Sequence, residues 1–367
     1  MTSDPAAPEA PLTVKEAADL RRLVGGIIRA QGNRFLKELL RKNDITLPSD
    51  KAGFESSLLG AIDAGKIRLS HVQAWLDLVE GWGNQHVYLF RVLPSLRASL
   101  DEQVLLSRVR QVGLDALWGA PTILEFPETP TLTSIKRAGE RLSLVWQESS
   151  PDWSPVKEKN YIAEEGLDTF EYRAYRRVEE RAFMRFEARL DRKLAALFVA
   201  TPIRDEKHQQ AIAEAMRVVD LLLDKKALER GRLKIERISR NVDQGNRPTG
   251  KNLTLPIKTQ RSRLMSGGAY VEWGANSSDR AYWEEPAIQN VRASVKTAQL
   301  ERFRGTEGVF TFQATEPTDA KSPAAGLTRP LRVQLYGVDN RIRLWAQMKE
   351  DEVWTILTML NGYQDQV

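Results

Sequence analysis

The fold of this chain is indicated most clearly by the stretch FMRFEARLDRKLAALFVA, residues 183–200. Its first half alternates polar and apolar residues, which is the period of a half-buried β-strand. Its second half, Leu194–Val199, contains no polar residue and indicates a strand that is buried on both faces. The stretch therefore predicts two antiparallel strands. The apolar run ends at Ala200 and is far too short to cross a bilayer.

Upstream of this stretch the spacing of the apolar residues is helical. Leucine, isoleucine, valine and phenylalanine recur at helical spacing from Val14 to about Trp118, and glycines such as Gly32, Gly65 and Gly81 separate the segments. We predict a disordered tail over residues 1–13. An all-α bundle of short helices is expected to follow over residues 14–119.

Beyond residue 120 strand-like and helix-like segments are mixed. The main predicted elements are strands at Arg141–Gln147 and Leu233–Ile238, a helix at His208–Asp224, a hairpin made of Leu331–Tyr336 and Arg341–Met348, and a closing helix at Glu350–Leu360. We therefore expect an α+β fold in which the helical bundle precedes a mixed, mainly antiparallel α+β region. Its first half, residues 120–230, and its second half, residues 264–367, have a similar order of elements and flank a basic strand and loop over residues 231–263.

The composition limits the chemistry that is open to the chain. It contains no cysteine, which excludes disulfides, thiolate metal sites, iron–sulfur clusters and cysteine nucleophiles. The first residues lack the basic start and apolar core of a secretory signal. These observations favour an intracellular protein, cytoplasmic or in the nucleoid or nucleus, and we expect it to need no cofactor.

The basic charge of the chain is concentrated in one region. Residues 225–263 contain twelve lysines and arginines against three acidic residues, a local net charge of +9 in a chain whose total is +5. Such an excess, interleaved with glycine, proline and asparagine, is typical of a segment that contacts a phosphate backbone. A solvated, flexible loop is the alternative. The predicted nucleic-acid contacts here are Arg232, Lys234, Arg237, Arg240, Arg247, Lys251, Lys258, Arg261 and Arg263.

A second motif lies in the helical region. The predicted helix Phe35–Asn43 is followed by an extended linker, Asp44–Asp50, and by another helix that begins at Lys51. This order and the spacing of the leucines resemble the SAP/HeH family of helix–extended-loop–helix modules. A unit of this size would bury together Leu36, Leu39, Ile45, Phe54 and Leu58.

The resemblance covers residues 34–62 and implies nucleic-acid binding through the linker and the start of the second helix. The cations that it leaves outside are Lys37, Arg41, Lys42 and Lys51. Asp44 and Asp50 stand where the family prefers glycine, and Ser57 replaces a frequent arginine. The alternative is a helical hairpin within a death-fold-like, protein-binding bundle. The order of parts, helices before a β-rich region, is also similar to that of the CENP-N family of centromere proteins, with no motif in common.

Motifs of the common enzyme classes are absent from the sequence. There is no Walker-type or dinucleotide-binding glycine loop, no HExxH and no GxSxG. Carboxylates alone could still hold Mg²⁺, and strand spacing would put Glu187, Asp191 and Lys193 on one face. The candidates for such a site are Glu125, Glu140, Asp152, Glu187 and Asp191, with Lys193 nearby. Charged residues on the wet face of an antiparallel strand give the same pattern.

The sequence thus predicts a nucleic-acid-binding adaptor or recognition subunit, not an enzyme, which contacts phosphates through the basic loop and the helical module. The expected partners are nucleic acid, DNA ahead of RNA, and a protein that docks on the helical bundle; no membrane partner is expected. One alternative is a protein–protein interaction scaffold with a death-fold-like bundle. The other is a Mg²⁺-dependent nuclease.

Overall fold

The computed structural model describes residues 12–30, 33–49, 51–79, 81–120, 127–200, 205–243, 257–266, 269–274, 286–297, 304–314, 327 and 329–364. In these ranges the chain forms eleven α-helices and twelve β-strands. They fall into two compact units. The first unit is Met1–Glu80, Thr122–Glu128 and Ser149–Arg181, and the second is Gly81–Pro121, Thr129–Glu148 and Ala182–Val367.

The helices are α1 (Val14–Ala30), α2 (Asn33–Lys42), α3 (Lys51–Asp63), α4 (Leu69–Val79), α5 (Pro94–Ser99), α6 (Glu102–Gln111), α7 (Asp205–Leu222), α8 (Lys225–Gly231), α9 (Ile235–Asp243), α10 (Pro286–Thr297) and α11 (Glu350–Gly362). The strands are β1 (Gly83–Arg91), β2 (Thr131–Ala138), β3 (Arg141–Pro155), β4 (Tyr161–Glu165), β5 (Asp168–Tyr172), β6 (Tyr175–Arg189), β7 (Leu194–Ala200), β8 (Ile257–Ser266), β9 (Ala269–Gly274), β10 (Arg304–Phe312), β11 (Leu331–Tyr336) and β12 (Arg341–Gln347).

The first unit contains the short helices α1 to α4 and a two-stranded sheet, β4–β5. A capping box starts α1: the Glu16 N–H donates to Thr13 Oγ1 at 3.2 Å, and the Thr13 N–H donates to the Glu16 carboxylate at 2.8 Å. The apolar faces of the four helices share one core. It contains the side chains predicted for the helical hairpin, namely Leu36, Leu39, Phe54 and Leu58, with Ile45 partly buried against them.

The second unit is built on a ten-stranded sheet with the order β2-β3-β6-β7-β1-β12-β11-β10-β8-β9. Helices α5 to α8 pack on one face, which we call the first face, around residues such as Phe186 and Leu197. Helices α9 and α11 pack on the opposite, second face, around residues such as Phe198 and Phe310. The central strands are therefore covered on both sides. The predicted pair of strands within residues 183–200 is confirmed, because β6 and β7 are antiparallel neighbours.

The predicted fold class is wrong in two respects. Residues 14–119 are not an all-α bundle: the helices of the first unit are short, β1 lies in the middle of the sheet, and α5 and α6 pack on its first face. The region after residue 120 is not two similar halves, because β7 from one half and β12 from the other both pair with β1 in a continuous sheet. Sequence periodicity missed β1 because residues 85–90 are all buried and show no alternation.

The predicted strand Leu233–Ile238 is also wrong, because the chain forms α9 from Ile235 onward. Ile235, Ile238 and Val242 are spaced for a helix and are buried against the second face. Just before α9 the chain crosses the sheet beside the end of β1, where the Leu233 N–H donates to the Leu89 carbonyl at 3.0 Å. Gly231 permits this crossing, since a Cβ there would lie 2.3 Å from the Arg91 carbonyl oxygen.

Candidate nucleic-acid interface

Three of the predicted basic contacts lie on β8, near one edge of the sheet. Backbone pairing across β8, β10, β11 and β12 defines three rows of register positions. The rows are Lys258–Thr311–Arg332, Arg261–Val309–Gln334–Arg343 and Arg263–Glu307–Tyr336–Arg341. Each row begins with a predicted cation and ends with an arginine of β11 or β12. The longer rows span three strand spacings, roughly 14 Å.

The arginine ends of these rows meet aromatic side chains. The guanidinium carbon of Arg343 lies 4.3 Å from the ring centroid of Trp345, and that of Arg332 lies 5.2 Å from the same ring. The guanidinium carbon of Arg341 lies 4.6 Å from the ring centroid of Tyr336. All three are cation–π distances. We call these five residues the arginine–aromatic patch.

The patch continues the first face of the sheet beyond its helices. Arg343 stands directly opposite His86, and His86 stands opposite Val199, which belongs to the core under α5 to α8. The strand residues of that core come from β1, β2, β3, β6 and β7. Trp345 is 40% exposed and Arg332 is exposed too. A ligand can therefore reach the part of the patch that these two residues form.

Two histidines come together beside the patch. The rings of His86 and His208 have centroids 5.0 Å apart, and the Tyr88 hydroxyl lies 3.4 Å from His208 Nε2. Burial, together with the charges of Arg341, His208 and Arg343, lowers the pKa of His86 to about 3. Burial also raises the pKa of Tyr88. At neutral pH His86 is therefore uncharged, and the positive charge next to it is that of the arginines.

The predicted contacts Arg232, Lys234, Arg237 and Arg240 are exposed on the segment from α8 into α9. Arg232 stands directly opposite Phe90, a first-face residue of β1, and so lies beside the same face as the patch. The pKa of Tyr88, which burial raises, is lowered in part by the charges of both Arg341 and Arg232. Arg240 is paired with Glu236 at 3.1 Å on the exposed side of α9.

The remaining predicted contacts lie in the first unit or outside the described residues. Arg247 and Lys251 lie outside the described residues. In the first unit Arg41 and Lys42 are exposed at the end of α2, Lys37 is half-buried, and Lys51 is the first residue of α3. A non-helical linker separates α2, which ends at Lys42, from α3, which begins at Lys51.

The acidic candidates for a metal site are engaged in other contacts. Glu187 is fully buried; one carboxylate oxygen accepts a hydrogen bond from Arg141 at 2.8 Å and the other accepts one from Trp354 Nε1 at 3.1 Å. Burial raises the pKa of Glu187. Strand β6 ends at Arg189, so the expectation that Glu187, Asp191 and Lys193 share one strand face is wrong.

Two other acidic candidates form ion pairs with arginines. Asp191 is paired with Arg189 at 3.2 Å, and Glu140 with Arg97 at 3.4 Å. Glu125 lies outside the described residues, as does the side chain of Asp152. Within the described part of the chain no cluster of three or more histidine, aspartate and glutamate side chains could hold a metal ion.

Sequence reasoning missed the arginine–aromatic patch, although a signal for it was present. The hairpin β11–β12 was predicted correctly. Its alternate positions, Arg332, Gln334 and Tyr336 on one strand and Arg341, Arg343 and Trp345 on the other, are polar or aromatic, whereas the intervening positions are aliphatic. A period of two with arginine and tryptophan on the open face indicates a binding surface on a sheet.

Comparison with known proteins identifies no family for this chain. Protein-family models give no match to the chain, and a search of curated proteins finds no significant relative. Among the helices that the structure describes, none has the length and apolar character needed to span a bilayer.

Proposed function

We propose that this chain binds single-stranded nucleic acid through the arginine–aromatic patch, as an adaptor or recognition subunit. The observation that carries the proposal is the exposed Trp345 ring with the guanidinium groups of both Arg332 and Arg343 within cation–π distance of it. An aromatic ring set among cations is the arrangement with which proteins hold unpaired bases and their phosphates together.

The chemistry of each group fits this role. A base that takes the place of the exposed Arg332 guanidinium on the indole gains stacking energy, and the displaced guanidinium can pair with a phosphate. Arg343 and Arg341 lie on the same strand at alternate positions and supply further positive charge. A duplex hides the faces of its bases, so an indole on a sheet favours a single strand.

The surrounding cations extend the contact. Arg232 lies beside the same face next to β1, and Lys258, Arg261 and Arg263 occupy the β8 ends of the three register rows. These positions form a track for a phosphate backbone that crosses the strands. We infer that the helical module, through Lys37, Arg41, Lys42 and Lys51, is a second and weaker contact, as its SAP/HeH resemblance implies.

The proposal is tested by the affinity of the full chain for a labelled single-stranded oligonucleotide, measured by fluorescence anisotropy. Loss of one base stack in Trp345→Ala should weaken binding by about 5- to 150-fold, the equivalent of ~1–3 kcal/mol. Trp345→Phe should retain most of the affinity because the ring remains.

The matched control is Trp153→Ala, which removes another exposed indole, 56% exposed, in the first unit. This control should bind like the wild type. Equal affinities for Trp345→Ala and the wild type, or tighter binding of duplex than of single strand, would contradict the proposal.

A further inference from the structure

The hairpin β4–β5 projects apolar side chains into solvent in the first unit. Gly166, at φ 66°, and Leu167 form its two-residue turn, and a glycine with positive φ at the first turn position is what a type II′ hairpin needs. Leu167 is fully exposed at the tip, and Ile162 is 70% exposed. Large aliphatic side chains this open to water are typical of an interaction site when further exposed apolar side chains lie beside them.

One face of this hairpin is aromatic. The rings of Tyr161 and Tyr172 are stacked, with centroids 4.7 Å apart and an angle of 12° between their planes, and Phe170 lies 6.5 Å from Tyr172. All three side chains are exposed. Tyr161 and Tyr172 are directly paired across the strands, so stacking pre-organises this face before any partner arrives.

The hairpin is also strongly acidic. Residues 161–172 contain four acidic residues and no basic residue, although the chain as a whole is positively charged. Glu171 is paired with Arg173 at 3.0 Å, whereas Glu164 makes no ion pair with any residue that the structure describes. The unneutralised charge therefore lies on β4 and at the turn.

This negative charge indicates which kind of partner can bind to the hairpin. A nucleic acid is repelled by it. Two copies of the hairpin pairing edge to edge would bring acidic side chains against one another, which destabilises a strand pair. A basic polypeptide is attracted, and an open strand edge offers it backbone hydrogen bonds. In the two-stranded sheet the only strand paired with β4 is β5, so its other edge is unpaired among the described residues.

We propose that the edge of β4 docks an extended segment of a partner protein in which basic residues alternate with apolar ones. The segment adds to the sheet as a third strand. Its basic side chains meet Glu164 and lay their aliphatic stems along Ile162, since these two residues share one face of the hairpin. Its apolar side chains cover Tyr161 on the other, aromatic face. The protein would then hold a basic partner protein through the edge of β4 and nucleic acid through other residues, so the two activities can be tested separately.

The test uses the full chain and a short synthetic peptide in which lysine alternates with valine and threonine. Isothermal titration should show that this peptide binds at least about tenfold more tightly than a peptide with glutamate in place of lysine. A lysine peptide that is N-methylated at alternate residues cannot donate backbone hydrogen bonds to the edge, and it should bind about tenfold more weakly.

Variants of the protein locate the binding surface. The double variant Glu164→Lys, Glu165→Lys should no longer bind the lysine peptide and should bind the glutamate peptide. Glu55→Lys, which adds positive charge on α3, should change neither affinity. Ile162→Ser should weaken the lysine peptide without altering oligonucleotide binding. Equal affinity for the two peptides, or no effect of N-methylation, would overturn the proposal. So would a concentration-dependent dimer that Glu164→Lys abolishes, because a second copy would then be the occupant.

Discussion

His86 lies at the middle of the sheet with a ring that its surroundings keep neutral. It is 7% exposed and stands opposite Arg343, and burial together with neighbouring positive charge lowers its pKa to about 3. In the unfolded chain the pKa of a histidine is about 6.5. As the pH falls below this value, His86 takes up a proton in the unfolded state but stays neutral in the folded state. The free energy of unfolding therefore decreases as the pH falls toward 3.

The pH dependence of unfolding should therefore differ between the wild type and His86→Gln. Between about pH 6 and pH 4 the free energy of unfolding of the wild type should fall more steeply, by up to ~1.4 kcal/mol per pH unit, because a glutamine side chain at this position binds no proton. Chemical denaturation of both proteins at several pH values measures this difference. Parallel pH profiles would show that His86 titrates equally in both states.

At the scale of single elements, the sequence predicted strands with a regular pattern, either alternating as in the hairpin β11–β12 or wholly apolar as in β7. The hairpin β11–β12 is found as predicted, because aliphatic and polar residues alternate with the period of a strand. The helix α11 is also found as predicted, although residues 352–357 are all buried. Strand β1 is buried on both faces as well, but it was missed because Gln85 and His86 leave it only the short apolar run of residues 87–90. Segment 235–243 was misread because Leu233 and Ile235 alternate as in a strand, although Ile238 and Val242 continue a helical spacing.

The helical hairpin α2–α3 allows a direct test of its core. Leu58 is fully buried in the core of the first unit, so Leu58→Ala should lower the local free energy of unfolding by about 2–5 kcal/mol. Leu47, 38% exposed in the linker, is the matched control, and Leu47→Ala should cost about half a kcal/mol or less. Hydrogen exchange of the α2 and α3 amides measures both. Similar protection in the two variants would contradict the assigned core.

At the scale of the whole molecule, the second unit depends on contacts between distant parts of the chain. β1 pairs with β7 on one side and β12 on the other, and the core of the second face combines Trp82, Phe198 and Trp354. Periodicity is a local property of a sequence and does not state which strands become neighbours. The register rows that end in the patch show the same limit, since they continue through β10 to β8, far from the hairpin β11–β12 in sequence.

A fragment of residues 257–367 should accordingly fail to fold by itself. It would contain β8 to β12 and α11, but β12 would lose β1 as its neighbour and the second-face core would lose Trp82, Leu89 and Phe198. We expect the fragment to show no cooperative thermal transition and no protected amides, whereas the intact chain shows both. A cooperative transition in the fragment would restore the idea of two independent halves.

The binding proposal also belongs to the whole molecule, because it places the phosphate contacts on one half of one sheet face. The measurement that tests it most directly is the salt dependence of single-stranded oligonucleotide affinity for a variant that changes Arg332, Arg341 and Arg343 to glutamine. A control variant changes Arg97, Arg110 and Arg217, which are exposed on α5, α6 and α7, and so has the same net charge. The slope of log affinity against log salt should flatten by about 2 in the patch variant, at ~0.7 per lost phosphate contact, and should remain that of the wild type in the control. Equal slopes in the two variants would show that general positive charge, and not the arginine–aromatic patch, binds the nucleic acid.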